Sequence, residues 1–237
     1  MRRGIATVFK FSAASLFAGA GGWHLWTGRC YFEPFGPSND PLFESEYFKQ
    51  FNPGNHPSIN DSCVRKVPLS QIPAELVADA LAGGSKLLER FCAGVWGGYG
   101  YSIQRNILAR VARNESNAES ILWDKEQLLQ STYEKGTIVT DHFIVVSKTP
   151  QSIILWGAES PSTNPNVRRE MENLSELSVD VVSDTDKGEG VVEFRMKNIF
   201  YNGAERMPKP LFPAPIVWLH LQYCKLLVEG GVSHCVV

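Results

Sequence analysis

The chain lacks the features by which nucleic-acid-binding proteins and several large enzyme classes are usually found. Its net charge is only −2 and its lysines and arginines are scattered, so it offers no basic surface for nucleic acid. It contains no glycine-rich phosphate loop, no nucleophile elbow and no paired-histidine zinc motif. We therefore expect no nucleic-acid partner, and the chemistry of the protein stays open at this point.

Cysteine is scarce and carries no metal-binding spacing. The five cysteines form no C-x-x-C pair, and no histidine stands at zinc spacing from them, so we expect neither a metal nor a cofactor. Cys92 and Cys224 lie in apolar helical stretches and are expected to be small buried residues. Cys30 and Cys63 flank a loop-rich segment and could form a disulfide in an oxidising compartment, although an odd count leaves at least one thiol free.

Residues 1–28 differ from the rest of the chain. Arg2 and Arg3 precede a weakly hydrophobic run, rich in alanine, glycine and serine, that ends at Trp26. This run just reaches the length of about 20 residues that spans a bilayer. The pattern predicts a membrane anchor, a cleaved organellar or secretory targeting segment, or a soluble packed helix. Membrane association through this segment is the leading expectation.

Two regions follow the N-terminal segment. Residues 29–65 form an arm rich in proline, asparagine and aromatic residues, and these aromatics predict that the arm lies against the domain. Residues 66–237 are predicted to be one α+β ligand-binding domain. Helices come first in it, with starts expected at Pro73 and Ser85 and a third helix expected over 103–112.

The second half of the domain changes to the alternation that is typical of strands. One strand pair is predicted at 136–147 and 152–156, and another at 174–182 and 191–200. A long final helix is predicted over 216–229, ended by the glycine pair that follows it. These elements predict an antiparallel sheet with one face covered by the last helix.

Several segments between residues 136 and 223 carry a family resemblance. They are Gly136-Thr137-Ile138-Val139, Asp141-His142-Phe143-Ile144-Val145, Ile153-Ile154-Leu155-Trp156-Gly157, Glu193-Phe194-Arg195-Met196-Lys197-Asn198, and Trp218-Leu219-His220 with Tyr223. Together they resemble the helix-grip (START/Bet v 1-like) superfamily. The resemblance implies a curved antiparallel sheet wrapped around a long C-terminal helix and an apolar cavity. Four or five strands are predicted from this sequence, whereas the full fold has six or seven.

A second resemblance rests on shorter segments. They are Leu122-Trp123-Asp124, Ser131-Thr132-Tyr133, Gly136-Thr137 and Asp141-His142-Phe143. These resemble small uncharacterised fungal proteins that accompany polyketide and terpenoid biosynthetic enzymes. The resemblance implies a role in secondary metabolite biosynthesis, in which the protein binds or reshapes a hydrophobic small molecule.

The candidate catalytic residues are those that can transfer a proton near neutral pH. Asp141 and His142 are predicted to be neighbours in a strand, so their side chains would point to opposite faces and form no local dyad. His220 and Tyr223 lie one turn apart on the final helix, where they could orient a polar ligand group. We predict His142, Asp141 and His220 as acid–base groups, with Tyr223 orienting the ligand.

Further polar and aromatic residues are candidates for ligand binding. Glu193, Arg195 and Lys197 share one strand face, which is either a solvated surface with cross-strand pairs or, if concave, a row that anchors a ligand. The predicted ligand-binding residues are Tyr223, Asn198, Tyr201, Arg195 and Trp156.

Two classes of function remain open. The first is a cofactor-independent cyclase or isomerase that acts on a hydrophobic metabolite by acid–base catalysis. The second is a non-catalytic lipid or metabolite carrier, or a membrane scaffold for biosynthetic enzymes. A cavity shared by His142 and His220 would favour the first class, and separate exposure of the two would favour the second. A structural mitochondrial membrane protein, the third possibility, would have no cavity.

Overall fold

The fold was obtained as a computed structural model that describes residues 21–161, 167–183 and 190–237. The strands are β1 (Tyr31–Glu33), β2 (Ser58–Pro68), β3 (Ile138–Val139), β4 (Phe143–Lys148), β5 (Ser152–Gly157), β6 (Glu172–Ser183) and β7 (Gly190–Tyr201). The helices are α1 (described over 21–27), α2 (Glu46–Phe51), α3 (Ala74–Leu81), α4 (Lys86–Gly97), α5 (Ser102–Ala112), α6 (Lys125–Gln130) and α7 (Ala214–Ser233). Short 3-10 turns occupy Pro41–Glu44 and Leu69–Gln71.

The predicted membrane anchor falls mostly outside the described residues. Only its end is described, as helix α1 over 21–27. In the described part of the chain, no helix combines the length and the hydrophobicity that a bilayer crossing requires.

The α+β fold with an antiparallel sheet is confirmed. The seven strands form one curved, open sheet in the order β1-β2-β7-β6-β5-β4-β3, with every neighbouring pair antiparallel. A register shift between Val145 and Ser147 bends β4 against β5, as bulges do. The prediction of four or five strands was too low because the arm contributes β1 and because the strand predicted over 136–147 divides into β3 and β4; the boundary predicted after residue 65 falls inside β2.

The strand predicted over 136–147 is interrupted, which corrects the placement of two candidate residues. Thr140 and Asp141 have φ angles of 51° and 48°, in the left-handed region that breaks a strand. The segment therefore divides into β3 and β4, with a turn over 140–142 between them. Asp141 and His142 lie in this turn, so strand alternation does not govern where their side chains point.

Two helices, rather than the last helix alone, cover the inner face of the sheet. Val192, Phe194 and Met196 of β7 are buried on this face, as their alternation predicts. Helix α4 packs across β6, and α7 packs across β2 and β7. Helix α7 also runs through the glycine pair that was predicted to end it, and the reason is packing. A Cβ on Gly231 would lie 2.5 Å from the Phe91 ring of α4, so glycine lets the two helices approach closely.

The arm covers the outer face of the sheet, as its aromatic content predicts. Phe48 and Phe51 of α2 pack on Tyr201 and Trp156, and the Phe51 and Trp156 rings stack with centroids 4.6 Å apart. Both faces of the sheet are therefore buried around the middle of β6 and β7, and this buries their polar side chains as well.

Candidate functional site

A cavity of about 190 Å³ lies between the inner face of the sheet and helices α4, α5 and α7. Its apolar lining consists of Trp96, Phe143, Met196, Phe200 and Leu227. Its polar lining consists of Tyr101, Gln104, His142, Asn173, Ser175, Asn198, His220, Tyr223 and Cys224. A mainly apolar recess with a few convergent polar groups is the usual form of a small-molecule site.

A row of buried polar side chains crosses the sheet beside this cavity. Asp61, Asn198 and Ser175 stand directly opposite one another on β2, β7 and β6. The Asn198 amide donates to Asp61 Oδ1 at 3.0 Å, and the Ser175 hydroxyl donates to Asn198 Oδ1 at 2.8 Å. Asn173 continues the row by donating to the Ser175 hydroxyl at 2.6 Å. Each member thus holds the next in a fixed orientation.

Helix α7 adds two side chains to the Asp61 end of the row. His220 Nε2 lies 2.7 Å from Asp61 Oδ2, and the Cys224 Sγ atom lies 3.2 Å from the same nitrogen. The Cys224 thiol also donates to Asp61 Oδ1 at 3.5 Å. The possible metal-ligand atoms of Asp61, His220 and Cys224 all lie within 4.8 Å of one another, so the three side chains could hold a metal ion.

The three side chains do not form a nucleophilic triad. In such a triad the two ring nitrogens serve different partners, one the acid and the other the nucleophile. Here Nε2 faces both the carboxylate and the sulfur, while Nδ1 lies 3.8 Å from that sulfur. Burial, reinforced by the negative charge of Asp61, raises the pKa of the Cys224 thiol well above its ordinary value. The thiol is therefore protonated at neutral pH and is a poor nucleophile.

Trp96, which also lines the cavity, carries an unsatisfied donor. Trp96 is buried, and its indole N–H has no hydrogen-bond partner in the described part of the chain. The centroid of its ring lies 4.8 Å from the centroid of the Phe143 ring, and the centroid of the His142 imidazole lies 4.8 Å from that same Phe143 centroid. Because orphaned buried donors are rare, the indole N–H indicates a place for a hydrogen-bond acceptor.

Burial sets the protonation of His142 and Tyr223, two further residues that line the cavity. Desolvation lowers the pKa of His142 below 6.5, although Asp141 and Glu159 partly oppose the shift. His142 is thus a neutral imidazole at pH 7, able to accept a proton. Burial raises the pKa of Tyr223, whose hydroxyl donates to Gln104 Oε1 at 2.8 Å, so Tyr223 stays a neutral phenol.

Four of the predicted site residues meet at this cavity. His142, His220, Asn198 and Tyr223 all line it. Asp141 does not: it lines a separate recess with residues of α5 and the segment that follows that helix. His142, which follows Asp141 in the turn at positive φ, lines this recess as well as the cavity.

The other three predicted ligand-binding residues lie on the outer face of the sheet. Trp156 and Tyr201 are fully buried under the arm. Arg195 pairs with Asp180 at 3.2 Å and with Glu193 at 2.7 Å, in a surface row of ion pairs. Strand alternation places Arg195 and Tyr201, odd-numbered residues of β7, away from the cavity, and Trp156 of β5 packs in the outer-face cluster, so none of the three contributes to the cavity lining.

Sequence reasoning missed Asp61 and Trp96 as site residues and took Cys224 for a plain buried residue. The interpretation that no histidine stands at zinc spacing from a cysteine was wrong for His220 and Cys224, whose separation of four residues on one helix was a usable signal. No signal marked Asp61, because the packing of α7 across β2 brings it to these residues. Comparison of the chain with protein-family models, with curated proteins and with solved structures found no match.

Proposed function

We propose that this protein binds a small, mainly apolar molecule that carries a hydrogen-bond acceptor, in the cavity between the sheet and α7. The observation that carries the proposal is that Trp96, which lines this recess, has a buried indole N–H without a hydrogen-bond partner in the described part of the chain. The helix-grip resemblance supports it, because that resemblance implies a curved antiparallel sheet wrapped around a long C-terminal helix and an apolar cavity.

The volume of the cavity limits the size of the ligand. At about 190 Å³ it slightly exceeds the ~150 Å³ engineered cavity that accepts benzene and falls short of the ~300 Å³ at which drug-sized pockets begin. A single ring or a short branched chain fits this space. A polyketide or terpenoid intermediate of that size, or one such part of a larger intermediate, is the class we favour.

The cavity adjoins a larger groove into which a longer ligand would extend. This groove has a volume of about 600 Å³ and shares His142, Asn173 and Phe200 with the cavity. Arg168 and Arg169 also line it. A ligand with an apolar head in the cavity would therefore place its remainder beside charged side chains.

Acid–base isomerisation of a carbonyl compound is the chemistry we propose for this site. Trp96 would donate its N–H to the carbonyl oxygen, and neutral His142 would take a proton from the carbon beside the carbonyl. The negative charge that develops on the oxygen is stabilised by the donor, and the proton returns at a different position to complete an isomerisation. Both rings contact Phe143, which brings them to the same part of the cavity.

A membrane-associated carrier is the second candidate function, and one observation favours it. Ile216, Trp218 and Leu219 at the start of α7 are 46%, 62% and 57% exposed, and His220 of the cavity wall follows directly. Exposed apolar residues of this kind suit contact with a lipid surface. In that case the cavity would transfer its ligand to or from the membrane without chemistry.

Paired probes test the binding proposal. Acetophenone and isopropylbenzene have nearly the same shape, but only the ketone carries an acceptor. By calorimetric titration we expect the ketone to bind about 3–10-fold more tightly, the worth of one hydrogen bond. Trp96→Phe, which keeps a ring but loses the N–H, should remove this preference and leave isopropylbenzene binding unchanged.

A filled cavity supplies the control. Leu227→Trp adds volume inside the recess and should abolish binding of both probes, while Val146→Ile on the outer face should leave both unaffected. Equal binding of the ketone and the hydrocarbon would contradict the role of Trp96.

A proton-exchange experiment separates the enzyme from the carrier. If the methyl protons of the ketone exchange with deuterated water and this exchange depends on His142, the enzyme is favoured. If these protons do not exchange, the carrier is favoured.

A further inference from the structure

The wall of the cavity contains a cluster that the ligand proposal does not use. We propose that Asp61, His220 and Cys224 bind one divalent metal ion of the zinc class. This inference goes beyond the proposed function and does not depend on any ligand entering the cavity.

The distances among the ligand atoms suit tetrahedral coordination. Zinc binds sulfur at about 2.3 Å and nitrogen or oxygen at about 2.0–2.2 Å, which places neighbouring ligand atoms about 3.2–3.7 Å apart. Sγ of Cys224 lies 3.2 Å from His220 Nε2 and 3.5 Å from Asp61 Oδ1. The closest pair, Nε2 and Asp61 Oδ2 at 2.7 Å, requires only a small separation when a metal replaces the hydrogen bond between them.

The fold holds the three ligands from opposite sides. His220 and Cys224 project from one face of α7 at a spacing of one helical turn, the spacing that paired ligands on metal-binding helices use. Asp61 projects from β2, and Asn198 fixes it by donating to Oδ1 at 3.0 Å. Ser175 in turn fixes Asn198. Such hydrogen bonds to the ligands set their orientation and strengthen metal binding.

The charge of the cluster also suits a cation. The Asp61 side chain is only 5% exposed, and a buried carboxylate needs a counter-charge. The nearest arginine on the same strand face, Arg65, is already paired with Glu229 at 3.2 Å. A divalent ion would balance Asp61 and the Cys224 thiolate together. On binding, the metal–sulfur bond forms and the thiol proton leaves to solvent.

The fourth coordination position would face the cavity. His220 and Cys224 both line the cavity, so a metal between them has protein ligands on three sides. Three protein ligands and one open position are typical of catalytic rather than structural zinc. A water molecule or an oxygen of a bound compound would complete the coordination, and a metal there would polarise that oxygen.

Cobalt is the probe that tests this site in the full-length, untagged protein. Co²⁺ in a tetrahedral site with one thiolate gives strong visible bands and a sulfur-to-cobalt absorption in the near ultraviolet. We expect saturation at one cobalt per chain and competition by zinc. Cys224→Ser should abolish the sulfur band, and Asp61→Asn and His220→Gln should weaken binding at least tenfold. Asn198→Ala should weaken it by about 10–100-fold, as loss of an orienting partner does.

Cys235→Ser is the matched control, because Cys235 is also buried and reduced but lies away from the cluster. It should leave every cobalt band unchanged. A sulfur band that survives Cys224→Ser, or no cobalt binding at all, would overturn the proposal. If the variants do not fold, zinc X-ray absorption of the unsubstituted protein decides the matter by showing one sulfur neighbour or none. Binding of acetophenone in the presence of a chelator tests the ligand proposal separately.

Discussion

At the scale of single residues, the site depends on side chains whose environment changes their chemistry. Cys224 is an unreactive thiol because burial and Asp61 raise its pKa. His142 is a neutral base because desolvation lowers its pKa. We propose a binding role for Trp96 because its N–H is buried without a partner in the described part of the chain. None of these properties belongs to the residue type alone.

The lowered pKa of His142 predicts a pH dependence of stability. Because the folded protein binds a proton at His142 less readily than the unfolded chain, its full stability is present above pH 6.5 and is lost as the pH falls below that value. One such group contributes a slope of up to about 1.4 kcal/mol per pH unit. We expect His142→Gln to flatten this part of the curve, as measured by urea unfolding between pH 7.5 and 5.

His24 provides the control for that experiment, since it is exposed on α1. His24→Gln should give the same slope as the unsubstituted protein. An unchanged slope in the His142 variant would mean that His142 is solvated in the folded state, which would also remove it as a neutral base.

At the scale of elements, the contact between α4 and α7 positions the cavity. A Cβ on Gly94 would lie 2.8 Å from the carbonyl oxygen of Gly231 and 2.9 Å from its Cα, so the two helix backbones touch at this point. The helices can adopt this spacing only with glycine at the contact. Trp96 and Leu227, one on each helix, line the cavity a short distance away.

This contact predicts that Gly94→Ala destabilises the protein. In a helix, alanine is more favourable than glycine by about 1 kcal/mol. However, its Cβ would clash with backbone atoms of Gly231, and these atoms cannot move aside as a flexible side chain could. We expect a net loss of about 1–3 kcal/mol in the free energy of unfolding. Gly36→Ala, where nothing lies within 4 Å of the added Cβ, should change it by less than about 0.5 kcal/mol. Equal effects at both positions would contradict the close contact.

Periodicity in the sequence located most elements but not their junctions. The hairpin of β4 and β5, the pair of β6 and β7, and helices α3 to α5 were predicted because each has a regular pattern of apolar residues. The turn at Asp141 was missed because nothing in Thr140 and Asp141 distinguishes a left-handed break from a continuous strand. The glycine pair of α7 was misjudged because glycine both ends helices and permits close packing.

At the scale of the whole molecule, the polar residues on the two faces of the sheet have different environments. Those on the inner face lie at the candidate site, and those on the outer face form surface ion pairs. The inner face brings Asp61, Asn198 and Ser175 into one row beside α7. The outer face carries ion pairs such as Lys197 with Glu176 at 2.7 Å, and the aromatic contacts of the arm. The sequence indicated which residues alternate along β7 but not which face is concave. Tyr201, Arg195 and Trp156, which were predicted to bind a ligand, lie on the face away from this cavity.

Residues far apart in the chain complete the site, and this limits what sequence alone predicts. Asp61 and His220 are 159 positions apart and meet through the packing of α7 across β2. The pairs that could be predicted, such as His220 with Tyr223, are those joined by one helical turn. A cavity formed by strands, helices and a turn has no local pattern.

Methyl NMR of methionine-labelled protein during an acetophenone titration tests the central claim most directly. Three of the four methionines are natural reporters: Met196 lines the cavity, Met171 lines the adjoining groove, and Met207 lines a separate recess. Signals are assigned with Met→Leu variants. If the cavity binds the probe, the Met196 methyl signal shifts first and most, and Leu227→Trp removes the shift. A shift confined to Met171 or Met207, or no shift in any signal at saturating probe, would contradict a ligand site between the sheet and α7.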